Sequence, residues 1–291
     1  MQTNYIEAFM AVVQNGSLSK ASEQLFITQP TLTHRIQALE NDLGIQLFSR
    51  NRGQRAAELT PAGREFLPLA ARWLNLADES RQIALERSIP KISVAATQTL
   101  CTYVMPHVYS RFVQRGLPVT LDLKTLHFRE CYSFVETGQC DAVFVSKAMS
   151  SPTVSTFPIY SEKMVLLCSK SAPYCANLNP TDLPRDKCVY MQWSQEYDAW
   201  HEYYFNGVNP IIKADSMRLV ERVLAVTDYW SIVPISAASA AVKNSELCYY
   251  DLNNGPPQRP VYLLTLEPWH DYTKILVEDF VSVLDDLIKN S

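Results

Sequence analysis

The stretch ITQPTLTHRI, residues 27–36, crowds short hydrogen-bonding groups onto what the spacing predicts to be one helix. Leu32 and Ile36 lie four apart and face inward, which leaves Gln29, Thr31, Thr33, His34 and Arg35 pointing out. Thr28 is placed to cap this helix, and Pro30 falls in its tolerated first turn. Short polar side chains on an exposed helix suit the reading of base edges in a DNA major groove. Three cations follow at Arg50, Arg52 and Arg55, in and beside the glycine-containing tip NRGQR. They suit phosphate contacts, which orient a protein on DNA without reading its sequence. The other reactive side chains form no such constellation. The five histidines (34, 107, 127, 201 and 270) lack metal-ligand spacing, and no GxSxG, P-loop, HExxH or GxGxxG occurs. The seven cysteines, at 101, 131, 140, 168, 175, 188 and 248, include no CxxC pair. They read as reduced, mostly buried thiols.

These groups need positioning elements. Residues 3–44 read as consecutive helices: Tyr5, Ile6, Phe9, Met10 and Val13 recur at helical spacing, and Asn15-Gly16 stops the first. Ser17 caps a second helix with Leu18, Ala21 and Leu25 inward, and the turn FIT then leads into the polar helix. The two apolar residues of that turn are expected to pack against a core. IQLFSR and AAELT bracket the arginine tip as a hairpin wing. Thr60 starts a long helix, in which Phe66, Leu69, Trp73, Leu76 and Ile83 make a near-heptad stripe that needs a partner. Pro68 lies inside this helix and is expected to kink it.

From Lys91 the pattern alternates. Strands are expected at KISVAAT, PVTLDLK, CDAVFVS, MVLLCSK, KCVYMQW, NPIIKAD, YWSIVP, LCYYDL and RPVYLLTLE. Helices fall near 101–115, 128–137, 197–206, 216–226 and 235–243, with DYTKILVEDFVSVLDDLIK last. Such βα alternation predicts mostly parallel sheets, here two of modest size. With 47% hydrophobic and 19% charged residues the chain is an ordinary folded protein. Its net charge of -4 demands no nucleic-acid or membrane partner globally, yet leaves room for a local basic surface. No apolar run reaches the roughly 20 residues of a membrane span. The start, MQTNYIEAF, lacks a secretory pattern, so a cytoplasmic location and no membrane partner are expected.

The run ASEQLFITQPTLTHRIQALENDLGIQLFSR (residues 21–50), continued by LTPAG (59–63), resembles the DNA-binding segment of the LysR-type transcriptional regulators. Nearly every fixed position of that family pattern is met, and G138-Q-C-D141 resembles its G-x-x-D. The chain departs where the family has Ser-Arg-Gln-Ile: here stand Thr33, His34, Arg35 and Ile36. The family's arginine is thus a histidine, and an arginine follows one step later, about 100° around the helix.

The resemblance implies an α/β protein with an all-helical-plus-wing N-terminal domain: a winged helix-turn-helix (1–60), a linker and dimerisation helix (61–88) and a periplasmic-binding-protein-like effector domain (89–291). Subdomain one would span about 91–161 and 267–291, and subdomain two about 162–266. Ligands of such sheets sit at the carboxyl ends of strands. That rule selects Thr97, Gln98 and Thr99, then Thr125, His127 and Phe128, then Ser146, then Gln192 and Trp193, and Tyr229 and Trp230 where relatives carry a glycine-rich loop. Phe66, Leu69, Trp73 and Leu76 would pair two copies, with tetramers as the family habit. Implied partners are double-stranded DNA, a second copy of the chain, a small-molecule effector and RNA polymerase. No cofactor is expected. A thiol-based redox regulator is the alternative mode of control, disfavoured because residues 189–247 contain no cysteine. A cytosolic small-molecule-binding protein or an enzyme is the alternative class.

Overall fold

The computed structural model describes residues 2–49, 58–84, 89–205, 210–244, 246–269 and 271–289. These divide into two compact units, 1–90 with 133–140, and 91–132 with 141–291, each taken by itself below.

The first unit begins with α1 (Thr3–Asn15), α2 (Leu18–Gln24) and α3 (Gln29–Leu43). Local chemistry sets their ends. Gly16 and Gly44 take the left-handed conformation that closes α1 and α3, and the Ser17 hydroxyl accepts the Lys20 N–H at the start of α2. Ile6, Phe9, Val12, Ala21, Leu32, Ile36 and Leu39 pack inside. The turn departs from expectation: Phe26 adopts φ 53° and is 96% exposed, while Ile27 is partly covered. A left-handed residue at the turn points its side chain away from the helices it joins.

α4 (Pro61–Ala84) follows, and runs unbroken through Pro68. Its start is tied to the base of the wing. Phe48 and Leu59 form an antiparallel bridge, and the Thr60 hydroxyl accepts the Gly63 N–H at 2.9 Å while donating to the Gln46 carbonyl at 2.6 Å. Gly63 is required there, because a Cβ would come within 2.2 Å of the Leu47 carbonyl oxygen. The apolar stripe of α4 is divided. Phe66 is buried edge-on against Phe9 at 5.2 Å, so it belongs to the core of its own unit and is withdrawn from the expected dimer seam. Leu69, Trp73 and Leu76 are 57%, 43% and 58% exposed. Ile83 lies outside the described side chains.

The second unit alternates β1 (Lys91–Thr97), α5 (Gln98–Tyr103), α6 (Met105–Gln114), β2 (Thr120–Leu126), the start of α7 (Phe128–Glu136, whose residues from Ser133 on are counted with the first unit), β3 (Ala142–Val145), β4 (Ser155–Glu162) and β5 (Met164–Ser169). Then come β6 (Val189–Met191), α8 (Gln195–Phe205), β7 (Ile212–Ala214), α9 (Met217–Leu224), β8 (Trp230–Pro234), α10 (Ile235–Ala241), β9 (Leu247–Tyr250), β10 (Arg259–Thr265) and α11 (Asp271–Lys289). One sheet has the order β2-β1-β3-β10-β4 and a core with Ile92, Val94, Phe144 and Leu263 under Phe280 of α11. The other has the order β8-β5-β9, with β6-β7 alongside, around Val165, Leu167, Val220, Trp230 and Ile232.

Two expectations are corrected and one strand is added. The sheets are mixed: β1 pairs in parallel with β2 and β3, but β10 is antiparallel to β3 and β4, and β5 is antiparallel to β8 and β9. β10 lies wholly in the first sheet, so the chain returns before Arg259 and not within 259–266. Strand β4 is absent from the expected set; its Pro158 lacks the donor a central strand needs. It is tolerated because β4 is an edge strand, with a register shift beside Tyr262.

Candidate functional site

The polar face of α3 is built as its sequence predicts. The Thr28 hydroxyl caps the helix by accepting the Thr31 N–H, and lies 2.8 Å from the Thr31 hydroxyl. Thr33 donates its hydroxyl back to the Gln29 carbonyl at 2.9 Å, which leaves its methyl and oxygen lone pairs outward. Gln29, Pro30, Thr31 and His34 are exposed, while Thr33 and Arg35 are half-buried. A shallow groove of about 420 Å³ is lined by Gln29, Pro30, Thr33, His34 and Gln37. Arg35 stands off this groove. Gln37 was missed from sequence, although it lies four residues beyond Thr33 on the same face. Arg50, Arg52 and Arg55 fall outside the described residues.

Glu40, read only as part of a pattern, has a defined task. Its carboxylate is buried and accepts the N–H groups of Leu47 (2.7 Å) and Phe48 (3.2 Å). It thereby anchors the start of the wing to the back of α3.

In the second unit, the strand directions bring several chosen loops together. Thr97 pairs with Leu126, and Ala96 with Thr125 and Phe144, so Thr97–Thr99, Thr125–Phe128 and Ser146 share the carboxyl edge of β1, β2 and β3. Gln98, Thr125 and His127 are exposed there, and Thr97, Thr99, Phe128 and Ser146 are half-buried. Thr97 occupies the N-cap of α5 without a side-chain cap bond, so its hydroxyl is not spent on the helix.

The residues chosen from the second sheet divide. The Gln192 amide is exposed and donates to Asp198 at 2.7 Å. Tyr229 is corrected: it precedes β8, and because Cys188 pairs in parallel with Trp230 it lies at the opposite edge from Gln192, half-buried against the core. Trp193 and Trp230 are buried and make structural bonds, Trp193 Nε1 to the Ile232 carbonyl at 2.8 Å and Trp230 Nε1 to the Pro184 carbonyl at 2.9 Å. Both are therefore corrected from ligand contacts to core. Trp193 also carries Arg259 over its ring, 5.4 Å from the centroid. That arginine pairs with Glu162 where β4 and β10 meet, both side chains being almost wholly buried. Glu162 Oε2 further accepts the Ser236 N–H at 3.3 Å, so one ion pair ties the crossing strands to the start of α10.

Two thiol arrangements bear on the other readings. Cys188 lies 3.6 Å from His201 Nε2, a distance that suits a nucleophile and its base. Burial pushes the thiol up to about 12 and the imidazole down, so both are neutral, which is the reverse of an activated thiolate pair. Cys168 and Cys248 face each other across β5 and β9 with sulfurs 3.7 Å apart. Burial, then the neighbouring thiol, hold Cys168 well above the usual thiol range. Among the described residues no cluster of three metal-ligating side chains occurs, and no helix is long and apolar enough to cross a membrane.

A family model for the bacterial regulatory helix-turn-helix protein, lysR family, matches residues 3–64, and one for the LysR substrate binding domain matches residues 86–284. The chain belongs to the LysR family. It is 31% identical over 173 residues to the HTH-type transcriptional regulator YofA of Bacillus velezensis, covering 58% of this chain and 59% of that protein. It is 31% identical over 193 residues to a probable RuBisCO transcriptional regulator of Cyanidioschyzon merolae, covering 63% of each. The match thus spans about three fifths of either relative's length. A full-length OxyR variant from Pseudomonas aeruginosa shares the fold with a TM-score of 0.71 at 19% identity, over 96% of this chain and 94% of that one. Full-length CbnR, solved with its target DNA, gives a TM-score of 0.66 at 21% identity, over 97% and 100%.

Proposed function

We propose that this LysR-family chain is a DNA-binding transcriptional regulator controlled by a small-molecule effector, and not an enzyme. The exposed face of α3 carries the reading: a capped helix, backed by Leu32, Ile36 and Leu39, presents Gln29, Thr33, His34 and Gln37 around one groove. Such side chains match the donor and acceptor pattern of major-groove base edges. Arg35, half-buried and off the groove, suits a phosphate, as do the wing arginines Arg50, Arg52 and Arg55. The relative CbnR, crystallised on DNA, supports this docking mode.

Control is assigned to the carboxyl edge of β1, β2 and β3, where Thr97, Gln98, Thr99, Thr125, His127, Phe128 and Ser146 would meet the effector, with Gln192 at the carboxyl end of β6. Two copies would join through the exposed Leu69, Trp73 and Leu76 of α4, which sets two reading heads on a dyad-symmetric site. A shift between arrangements of the bound copies would change contact with RNA polymerase.

Selection from random duplex DNA, followed by electrophoretic shift of the winning sequence, tests the reading. Specific binding that falls on Gln29→Ala with Thr33→Val is expected. Enrichment of no sequence over many rounds would sink it.

A further inference from the structure

A second pocket, of about 450 Å³, lies between the two sheets' cores in the second unit. One wall is Tyr103, at the end of α5, whose Leu100 packs in the first core. The other is α9, anchored in the second core by Met217, Val220 and Leu224, and it presents Arg218, Glu221 and Arg222. Ala225, Ala240 and Leu247 add small apolar surface. The Tyr103 hydroxyl donates to Glu221 Oε1 at 2.6 Å, a bond that joins the two halves and occupies the acid. Arg218 and Arg222 stand one turn apart on the same face of α9, exposed, and neither forms an ion pair among the described residues. Two guanidinium groups against one carboxylate leave the pocket with one positive charge to be met.

We propose that this pocket binds a small monocarboxylate with a compact apolar body, its anion between Arg218 and Arg222 and its body against Ala225, Ala240 and Leu247. A guanidinium fork matches a carboxylate in two parallel bonds, and the volume falls within the range of small-molecule sites. The charge balance selects one anionic group over two, and the alanines select a short apolar body over a sugar or nucleotide. Because α5 carries Thr97–Thr99 at its other end, a ligand here bears on the same helix as the cleft loops. This regulatory role rests on the effector-controlled reading above. The bound acid would reinforce the Tyr103–Glu221 bridge and favour the arrangement of the halves seen here.

Isothermal titration of the full chain with 4-methylpentanoate and with phenylacetate, each beside its primary amide, tests the site. Saturable binding of an acid is expected, with its amide about 10-fold weaker or worse, as one lost charge-assisted bond requires. Arg218→Gln and Arg222→Gln should each weaken the acid by a similar factor, and Ala240→Leu should exclude it by filling the pocket. The proposal is overturned if neither acid binds, if acid and amide bind alike, or if the double arginine variant binds as well as the parent. It is also overturned if the arginine variants change only the oligomeric state in sedimentation. These titrations contain no DNA. Acid binding without sequence-specific DNA binding would sink the regulator reading and leave the pocket standing, and DNA binding without acid binding would do the reverse.

Discussion

Removing one member of the Glu162–Arg259 pair should cost far more than removing both. The side chains are 0% and 1% exposed, and Arg259 Nε donates to Glu162 Oε1 at 2.9 Å beside a second bond from Nη2 to the same oxygen. Arg259→Met would take away both donors and leave Glu162 with the single Ser236 N–H, at 3.3 Å, on its other oxygen. A buried charge stripped of its partner costs about 3–5 kcal/mol. Glu162→Leu alone is as costly, since among the described residues the guanidinium keeps the face of Trp193 at 5.4 Å and its Nη1 has no hydrogen-bond partner. The double variant removes both charges and fills the space with apolar atoms. It should therefore fall within about 1 kcal/mol of the parent, because replacing a whole buried pair is often neutral or stabilising.

Urea unfolding followed by tryptophan fluorescence checks this directly, as Trp193 reports from beneath Arg259. In a thermal scan each single variant should melt on the order of 10 °C lower, from roughly 2–4 °C per kcal/mol in a unit of this size. The cycle should give a coupling energy of about 3 kcal/mol or more. If Arg259→Met alone costs under about 1 kcal/mol, or if the double variant costs the sum of the singles, the pair is not what ties the crossing strands to α10.

Further outcomes follow from the same reasoning. Glu40→Ala should cost about 2–4 kcal/mol by orphaning the Leu47 and Phe48 N–H groups; hydrogen exchange at those two amides should rise well before exchange across α1. Trp73→Asp should weaken self-association about 10- to 100-fold, because the ring is 43% exposed in one copy and would otherwise be covered by a second. Sedimentation velocity would show a dimer at unchanged affinity if α4 is not the seam. His201 is buried, and burial lowers its affinity for protons, so the unfolded chain binds the proton more readily than the folded one. Its contribution should be complete above the unfolded value of 6.5 and should be lost as pH falls below it toward the lowered folded value. Urea midpoints measured from pH 7.5 to 5 should fall less steeply for His201→Gln, and parallel slopes would refute the assignment.

What was legible in the chain follows the range of the interaction involved. Ser17 and Thr28 cap helices, and Gly16 and Gly44 close them, through bonds that span three or four residues, so their roles could be read from spacing alone. The spacing of Leu32, Ile36 and Leu39 likewise revealed the inner face of α3, and with it the outer one. Phe66 and Trp73 show the limit. They are seven residues apart, on nearly one face of α4, and periodicity cannot separate them. They differ in what lies opposite: Phe9 covers Phe66, whereas among the described residues Trp73 does not join the first unit's core and stays 43% exposed. Trp193 and Trp230 stand at plausible loop positions, and only the partners of their ring N–H groups, 39 and 46 residues away, place them in the core.

The same limit explains why the Glu162–Arg259 pair and the Tyr103–Glu221 bridge were not foreseen. Their partners are 97 and 118 residues apart, and neither pair belongs to a motif. These two contacts join the halves of the second unit in different ways. The first is buried and closed to water, so it sets where the crossing strands meet and changes little with conditions. The second is partly exposed, at the wall of a pocket that carries surplus positive charge, so a bound anion can act on it. Under the proposed regulation the two kinds of contact would have different uses: one would hold the crossing strands in place, and the other would be weak enough for a ligand of modest affinity to shift the balance of arrangements.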